Sequence, residues 1–167
     1  LKATLANRAF LMLMGVYLLS WTAASILASM LVYFARYYMQ LHEQANYFVL
    51  VAEGAAVLFV PLCVWAMGKL DKPKAYIIGV AFWCVVLVFI SRLGRDSVGL
   101  AYVLAFLCGP GIATALVVPW SMVPDIIEDD QKRTGERREG AFYSLVAFFQ
   151  KLGTGIALWS IGQALSA

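Results

Sequence analysis

The stretch AFFQKLGTGIAL, residues 147–158, sets a lysine at position 151 among Phe148, Phe149, Leu152, Ile156 and Leu158. On a soluble helix Lys151 would turn to water and need no explanation. In a membrane-spanning helix a central ammonium is costly and needs one. Composition decides between the two. Of 167 residues, 62% are hydrophobic and 14% charged, and the mean hydropathy is +0.79. Soluble domains are about half apolar and about a quarter charged, and a small globule cannot hide much more apolar surface than that. The chain therefore reads as an integral membrane protein. Its net charge of +3 is a matter of topology and gives no reason to expect a nucleic-acid partner.

Crossing a hydrocarbon core of about 30 Å takes roughly 20 helical residues, and only helices or closed barrels satisfy their backbone there. The apolar runs are long and continuous rather than alternating, which predicts an all-α polytopic protein with transmembrane helices at about 8–38, 46–68, 75–93, 97–123 and 141–165. The breaks are QLHEQAN, GKLDKPK, RLGRDS and IEDDQKRTGERREG. The first span exceeds what a bilayer requires, so it should tilt or project. Tyr33, Phe34, Tyr37 and Tyr38 at its end suit an interfacial aromatic belt, with Arg36 snorkelling between them.

Orientation follows from the basic residues of the short connections. One side receives Lys2, Arg8, Lys69, Lys72, Lys74, Lys132, Arg133, Arg137 and Arg138, the other Arg36, Arg92 and Arg95. This asymmetry places the N-terminus and the loops 69–74 and 124–140 on the cytoplasmic side, and the expected location is the plasma (cytoplasmic) membrane. The chain starts at Leu1, shows no signal-peptide pattern and crosses an odd number of times. These features suggest a piece of a longer protein.

Several function classes drop out. Cys63, Cys84 and Cys108 stand singly in apolar runs and read as small buried hydrophobes. His42 is the lone histidine and sits in a polar connector, so no metal cluster is expected. Phosphate-binding glycine loops, HExxH and GxSxG are absent. No nucleophile–base pair stands out, hence no enzyme and no catalytic residue.

Lys151 falls roughly 15 Å into the last expected span, near the midplane. A lysine at that depth reaches the interface poorly, and an idle one costs about 2.5–3.5 kcal/mol. It is therefore expected to face the bundle interior, a watery cavity or an anionic partner. Gly153, Thr154 and Gly155 beside it permit close helix packing or line a cavity. Glu53, in VLVAEGAAVLF, is a second charge inside an apolar span, with proton carrier, gate residue or ion-pair partner as candidate roles. In CGPGIATALVVPWSMVPD, Gly109, Pro110, Gly111 and Pro119 are expected to loosen and kink a helix, as in helices that line transporter cavities. The mixed acids and bases of PDIIEDDQKRTGERREG read as a solvated loop whose ion pairs form and break between conformations.

That last segment carries a resemblance. Pro124 and Asp125, Glu128, the run TGERREG at 134–140, Tyr143 and KLG at 151–153 resemble the second half of the glycoside–pentoside–hexuronide:cation symporters. These are the melibiose permease-like branch of the major facilitator superfamily, which also includes sodium-dependent lysophosphatidylcholine symporters. Gly68, Asp71, Lys72, Pro73 and Lys74 are similar to the superfamily's G-x-x-x-D-[RK]-x-[GP]-[RK] turn. The resemblance implies helices seven to eleven of twelve, in the C-terminal half-bundle. It implies that Lys151 lies near substrate and coupling ion, and that Pro124, Asp125, Glu128, Thr134, Gly135, Arg137, Glu139 and Gly140 form a cytoplasmic gate. It implies no cofactor, and a coupling Na⁺ or H⁺ whose acidic ligands lie mainly in the N-terminal half, outside this sequence. The partners implied are a small-molecule substrate, membrane lipids and that N-terminal half.

Where melibiose permeases look to carry a threonine one turn before the lysine, this chain has Ala147, then Phe148 and Phe149. That apolar approach is more similar to the lysolipid branch. The expected function is symport of a small solute, a sugar or glycoside, by alternating access. A sodium-dependent lysophospholipid transporter is the alternative, with Phe148 and Phe149 on the acyl chain and Lys151 on the phosphate. A non-transporting membrane scaffold or receptor is the second alternative.

Overall fold

The computed structural model describes residues 4, 7–41, 44–94, 97–136 and 138–166. The helices are α1 (Arg8–Tyr33), α2 (Ala45–Leu70), α3 (Lys72–Ser91), α4 (Val98–Thr134) and α5 (Glu139–Ser166), with a π-helical turn, Phe34–Tyr38, extending α1. Among the described residues there is no strand, and all five helices are long and apolar enough to cross a membrane. The protein is all-α and integral to the membrane. Arg95, His42, Lys2 and Arg137 lie outside the described residues.

The segment expected as a loop over 124–140 is mostly helix, because α4 continues to Thr134. Its charges suit a helix surface. Lys132 pairs with Glu128 one turn earlier at 2.6 Å, an arrangement that supports a helix rather than a loop. The Thr134 hydroxyl donates to the Asp130 carbonyl at 2.8 Å. Gly135 then ends the helix with φ +73°, its N–H bonded to the Gln131 carbonyl at 2.9 Å. This is the left-handed C-terminal stop that glycine adopts without strain.

The chain divides into two compact units, Leu1–Ser25 with Pro119–Ala167, and Ile26–Val118. In the second, α4 packs by small residues. A Cβ on Gly109 would meet Ala55 and the Ala56 backbone nitrogen at 2.5–2.8 Å, and a Cβ on Gly111 would overlap Trp83. Phe48 stacks on Tyr102 with ring centroids 4.1 Å apart. The Thr114 hydroxyl donates to the Pro110 carbonyl at 2.7 Å and lies 3.3 Å from the Cys63 sulfur. α4 stays helical through Pro110 and Pro119, and Gly109 and Gly111 permit the close helix approach. Cys63 and Cys108 are buried as expected, whereas Cys84, on α3, is exposed. The aromatic end of α1 stacks in pairs, Tyr33 on Tyr37 and Phe34 on Tyr38, with centroids 5.1 and 5.0 Å apart.

Between α2 and α3 only Asp71 leaves the helical conformation, at φ 63°. Lys74 binds its carboxylate at 3.1 Å, both side chains being well exposed. Lys72 opens α3 beside Pro73, and Gly68 lies in the last turn of α2. The stretch that resembles the superfamily turn is thus a one-residue helix–helix corner.

The first unit is built on a core of Phe10, Leu13, Met14 and Tyr17 from α1, Val123 and Ile127 from α4, and Phe142 and Val146 from α5. Spacings of three and four residues put each set on one helix face. Phe10 meets Phe142 edge-on with centroids 4.8 Å apart. Burial of these side chains contributes about 1.5–3 kcal/mol each where water is the alternative, and less where lipid is.

Candidate functional site: the Lys151 face of α5

Within the first unit, α5 buries Phe142, Val146, Gly153 and Ala157 and partly buries Phe149. These positions recur every three or four residues and define the packed face. Lys151 lies two residues from both Phe149 and Gly153, about 200° round the helix from each. It therefore points away from α1 and is exposed. Ser144, Phe148, Gly155, Leu158 and Gly162 share its side and are exposed as well. Phe148 is 59% exposed and meets Phe149 edge-on at 5.8 Å. Among the described residues Lys151 makes no ion pair and no hydrogen bond.

The rotation of α5 is fixed by contacts with α1. Nε1 of Trp21 donates to the Thr154 hydroxyl at 2.8 Å, which in turn donates to the Gln150 carbonyl at 3.1 Å. The Thr22 hydroxyl donates to the Gly153 carbonyl at 3.3 Å. A Cβ on Gly153 would come within 3.2–3.3 Å of Thr22, Leu18 and Trp21, so glycine permits this approach. Thr154, a candidate for the cavity lining, sits at this helix contact. Trp21 and Thr22 escaped the sequence reading. The signal was faint, a tryptophan among small residues in SWTAAS.

A hydrogen-bonded aromatic frame stands beside the contact. Tyr17 is 1% exposed, and its hydroxyl accepts a 2.8 Å hydrogen bond from Trp120 Nε1. Trp120 also lies over Tyr143, nearly parallel, with centroids 6.5 Å apart. Trp120 is the residue after Pro119, so the proline-containing turn delivers an indole to α1.

The gate candidates separate into two clusters in the first unit. Pro124, Glu128 and Glu139 line a cavity of about 250 Å³ with Ile127, Gln131 and Tyr143. Thr134 lines a different one with Asp130, Arg8, Arg133 and Arg138. Gly135 forms the helix stop, Asp125 and Gly140 are exposed, and Arg137 lies outside the described residues. In the second unit Glu53 is exposed on α2 and makes no ion pair among the described residues. No group of histidine, cysteine and acidic residues among the described residues has the geometry to hold a metal ion.

The family model for MFS/sugar transport proteins matches residues 1–167. The chain belongs to that family. An "uncharacterized symporter" of Synechocystis is 39% identical over 170 residues, covering 100% of this chain and 31% of the relative. A sphingosine-1-phosphate transporter of Mus musculus is 35% identical over 161 residues, covering 95% of this chain and 32% of the relative. A sodium-dependent lysophosphatidylcholine symporter of Danio rerio is 26% identical over 168 residues, covering 99% of this chain and 31% of the relative. The chain spans about a third of the length of these curated relatives. The resemblance carried by PD, Glu128, TGERREG and KLG holds, and the family and these relatives are transporters by name.

Proposed function

We propose that the full-length protein is a cation-coupled symporter working by alternating access. These five spans would serve as helices seven to eleven of twelve. The observation that carries the reading is Lys151. It stands twelve residues along α5 from Glu139, roughly 18 Å by helical rise. It lies on the face turned away from α1, exposed and unpaired among the described residues. A cation left unpaired inside an apolar span marks a substrate or ion path. The N-terminal half of the transporter would cover this face, and the cavity between the halves would hold the solute. Acids of that half would hold Na⁺ or H⁺. The segment's N-terminus would be cytoplasmic, in the plasma membrane, with the α4–α5 turn on the same side.

For the substrate, the family's description favours a sugar or glycoside. A second reading rests on a specific observation. Phe148, largely exposed, lies one turn before Lys151 on the same face, and the named relatives move phosphate-bearing amphiphiles. An acyl chain would lie on Phe148 and Phe149 with its phosphate at Lys151. Counterflow in proteoliposomes containing the full-length protein, with labelled glycosides in one arm and labelled lysophospholipids in the other, separates the two. Exchange of neither class, with or without Na⁺, would leave a scaffold or receptor as the better account.

A further inference from the structure

The first unit holds a second polar site, at the ends of three helices. Arg8 is the first residue of α1, Arg133 lies in the last turn of α4, and Arg138 immediately precedes α5. Together with Asn7, Ala9, Met12, Asp130 and Thr134 they line a cavity of about 640 Å³. The lining thus brings three arginines and one carboxylate residue together. Arg138 is engaged by Glu136 at 2.7 Å. Arg8 and Arg133 make no ion pair among the described residues.

Asp130 is 6% exposed. Its Oδ1 accepts from Asn7 Nδ2 at 3.2 Å, while its buried Oδ2 has no hydrogen-bond partner among the described residues. Asn7 also caps α1, its Oδ1 accepting from the Phe10 N–H at 3.2 Å. The positive end of the α1 dipole is therefore at the same place. From the rim, exposed Met12, Val16 and Leu19 run down α1 at 59%, 37% and 72% exposure. That spacing makes one apolar strip.

We propose that this cavity binds the headgroup of an anionic membrane lipid. Arg8 and Arg133 hold the phosphate by forked hydrogen bonds. Oδ2 of Asp130 accepts from a hydroxyl or ammonium beside the phosphate, and an acyl chain follows Met12, Val16 and Leu19. The helix ends place the arginines where apolar spans give way to headgroups, the level at which basic clusters recruit anionic lipid. A free phosphate has no acyl chain and leaves the strip unused. Phosphatidylcholine lacks the net charge and the donor.

The test is native mass spectrometry of the full-length protein in detergent, titrated with phosphatidylglycerol, with phosphatidylcholine, and with phosphatidylglycerol against inorganic phosphate. The site predicts bound phosphatidylglycerol and no comparable phosphatidylcholine. It predicts about tenfold weaker binding in Arg8→Gln/Arg133→Gln and unchanged binding in Lys132→Gln, which alters a nearby charge outside the cavity. Equal binding by the double variant, or equal retention of phosphatidylcholine, overturns the proposal. Displacement by equimolar inorganic phosphate makes free phosphate the occupant and overturns the lipid assignment. If the double variant shows no folding transition, the single variants are read, each expected about threefold weaker. Unchanged binding in both singles is then decisive against the site. Binding is read without transport, so this outcome is independent of the symporter reading.

Discussion

The indole of Trp21 donates a 2.8 Å hydrogen bond to the hydroxyl of Thr154, joining α1 to α5 across 133 residues of sequence. Three residues before Thr154 stands Lys151, about 60° round the helix. The bond and the close approach at Gly153 fix which side of α5 is packed, and hence which side the ammonium occupies.

Removing either partner should cost little but measurably. Trp21→Phe and Thr154→Val are each expected to destabilise the full-length protein by about 0.6–1.5 kcal/mol, read from unfolding in detergent. The double variant should lose less than the sum of the singles, because one interaction is removed twice. Strict additivity would show that the two side chains are not coupled.

Asn7 joins the cap of α1 to a buried carboxylate. Asn7→Ala is expected to cost about 2 kcal/mol, from loss of the cap and from leaving Asp130 without its donor. Asn7→Ala/Asp130→Ala should recover part of that loss, since the stranded carboxylate is gone. Unfolding midpoints of the two variants check the order.

Close approach at Gly109 and Gly111 leaves no room for a methyl group. Gly109→Ala and Gly111→Ala should each destabilise by about 1–3 kcal/mol. Gly99→Ala, whose Cβ would meet nothing within 4 Å, should be neutral or stabilising by about 0.4–1 kcal/mol. Equal stability across the three would contradict the packing described for α4.

The sidedness derived from Lys and Arg counts has its own test. In a full-length background without native cysteines, Thr134→Cys and His42→Cys should react with an impermeant maleimide from opposite faces of the membrane. Labelling of both from one face would reverse the topology of at least one intervening span.

The spans were legible because a bilayer demands long apolar helices, and runs such as YIIGVAFWCVVLVFI permit nothing else. The length of α4 was not. Glu128, Asp129, Asp130, Lys132 and Arg133 look like a loop in one dimension. Their helical order rests on the 2.6 Å Glu128–Lys132 pair and on Asn7, 123 residues from Asp130. The buried face of α5 follows from periodicity once Gly153 is known to meet Trp21 and Thr22, a long-range fact that local pattern does not contain. Lys151 was visible as a charge in an apolar run, and the arginine cavity was invisible because its walls come from three separate helix ends.

The most direct test of the central claim is solute exchange by the full-length protein carrying Lys151→Ala, reconstituted in proteoliposomes beside the unaltered protein. The account predicts at least about a tenfold loss of exchange. Protein incorporation and the unfolding midpoint should be unchanged, because Lys151 is exposed and makes no ion pair or hydrogen bond among the described residues. Normal exchange by Lys151→Ala would contradict the assignment of Lys151 to the transport path.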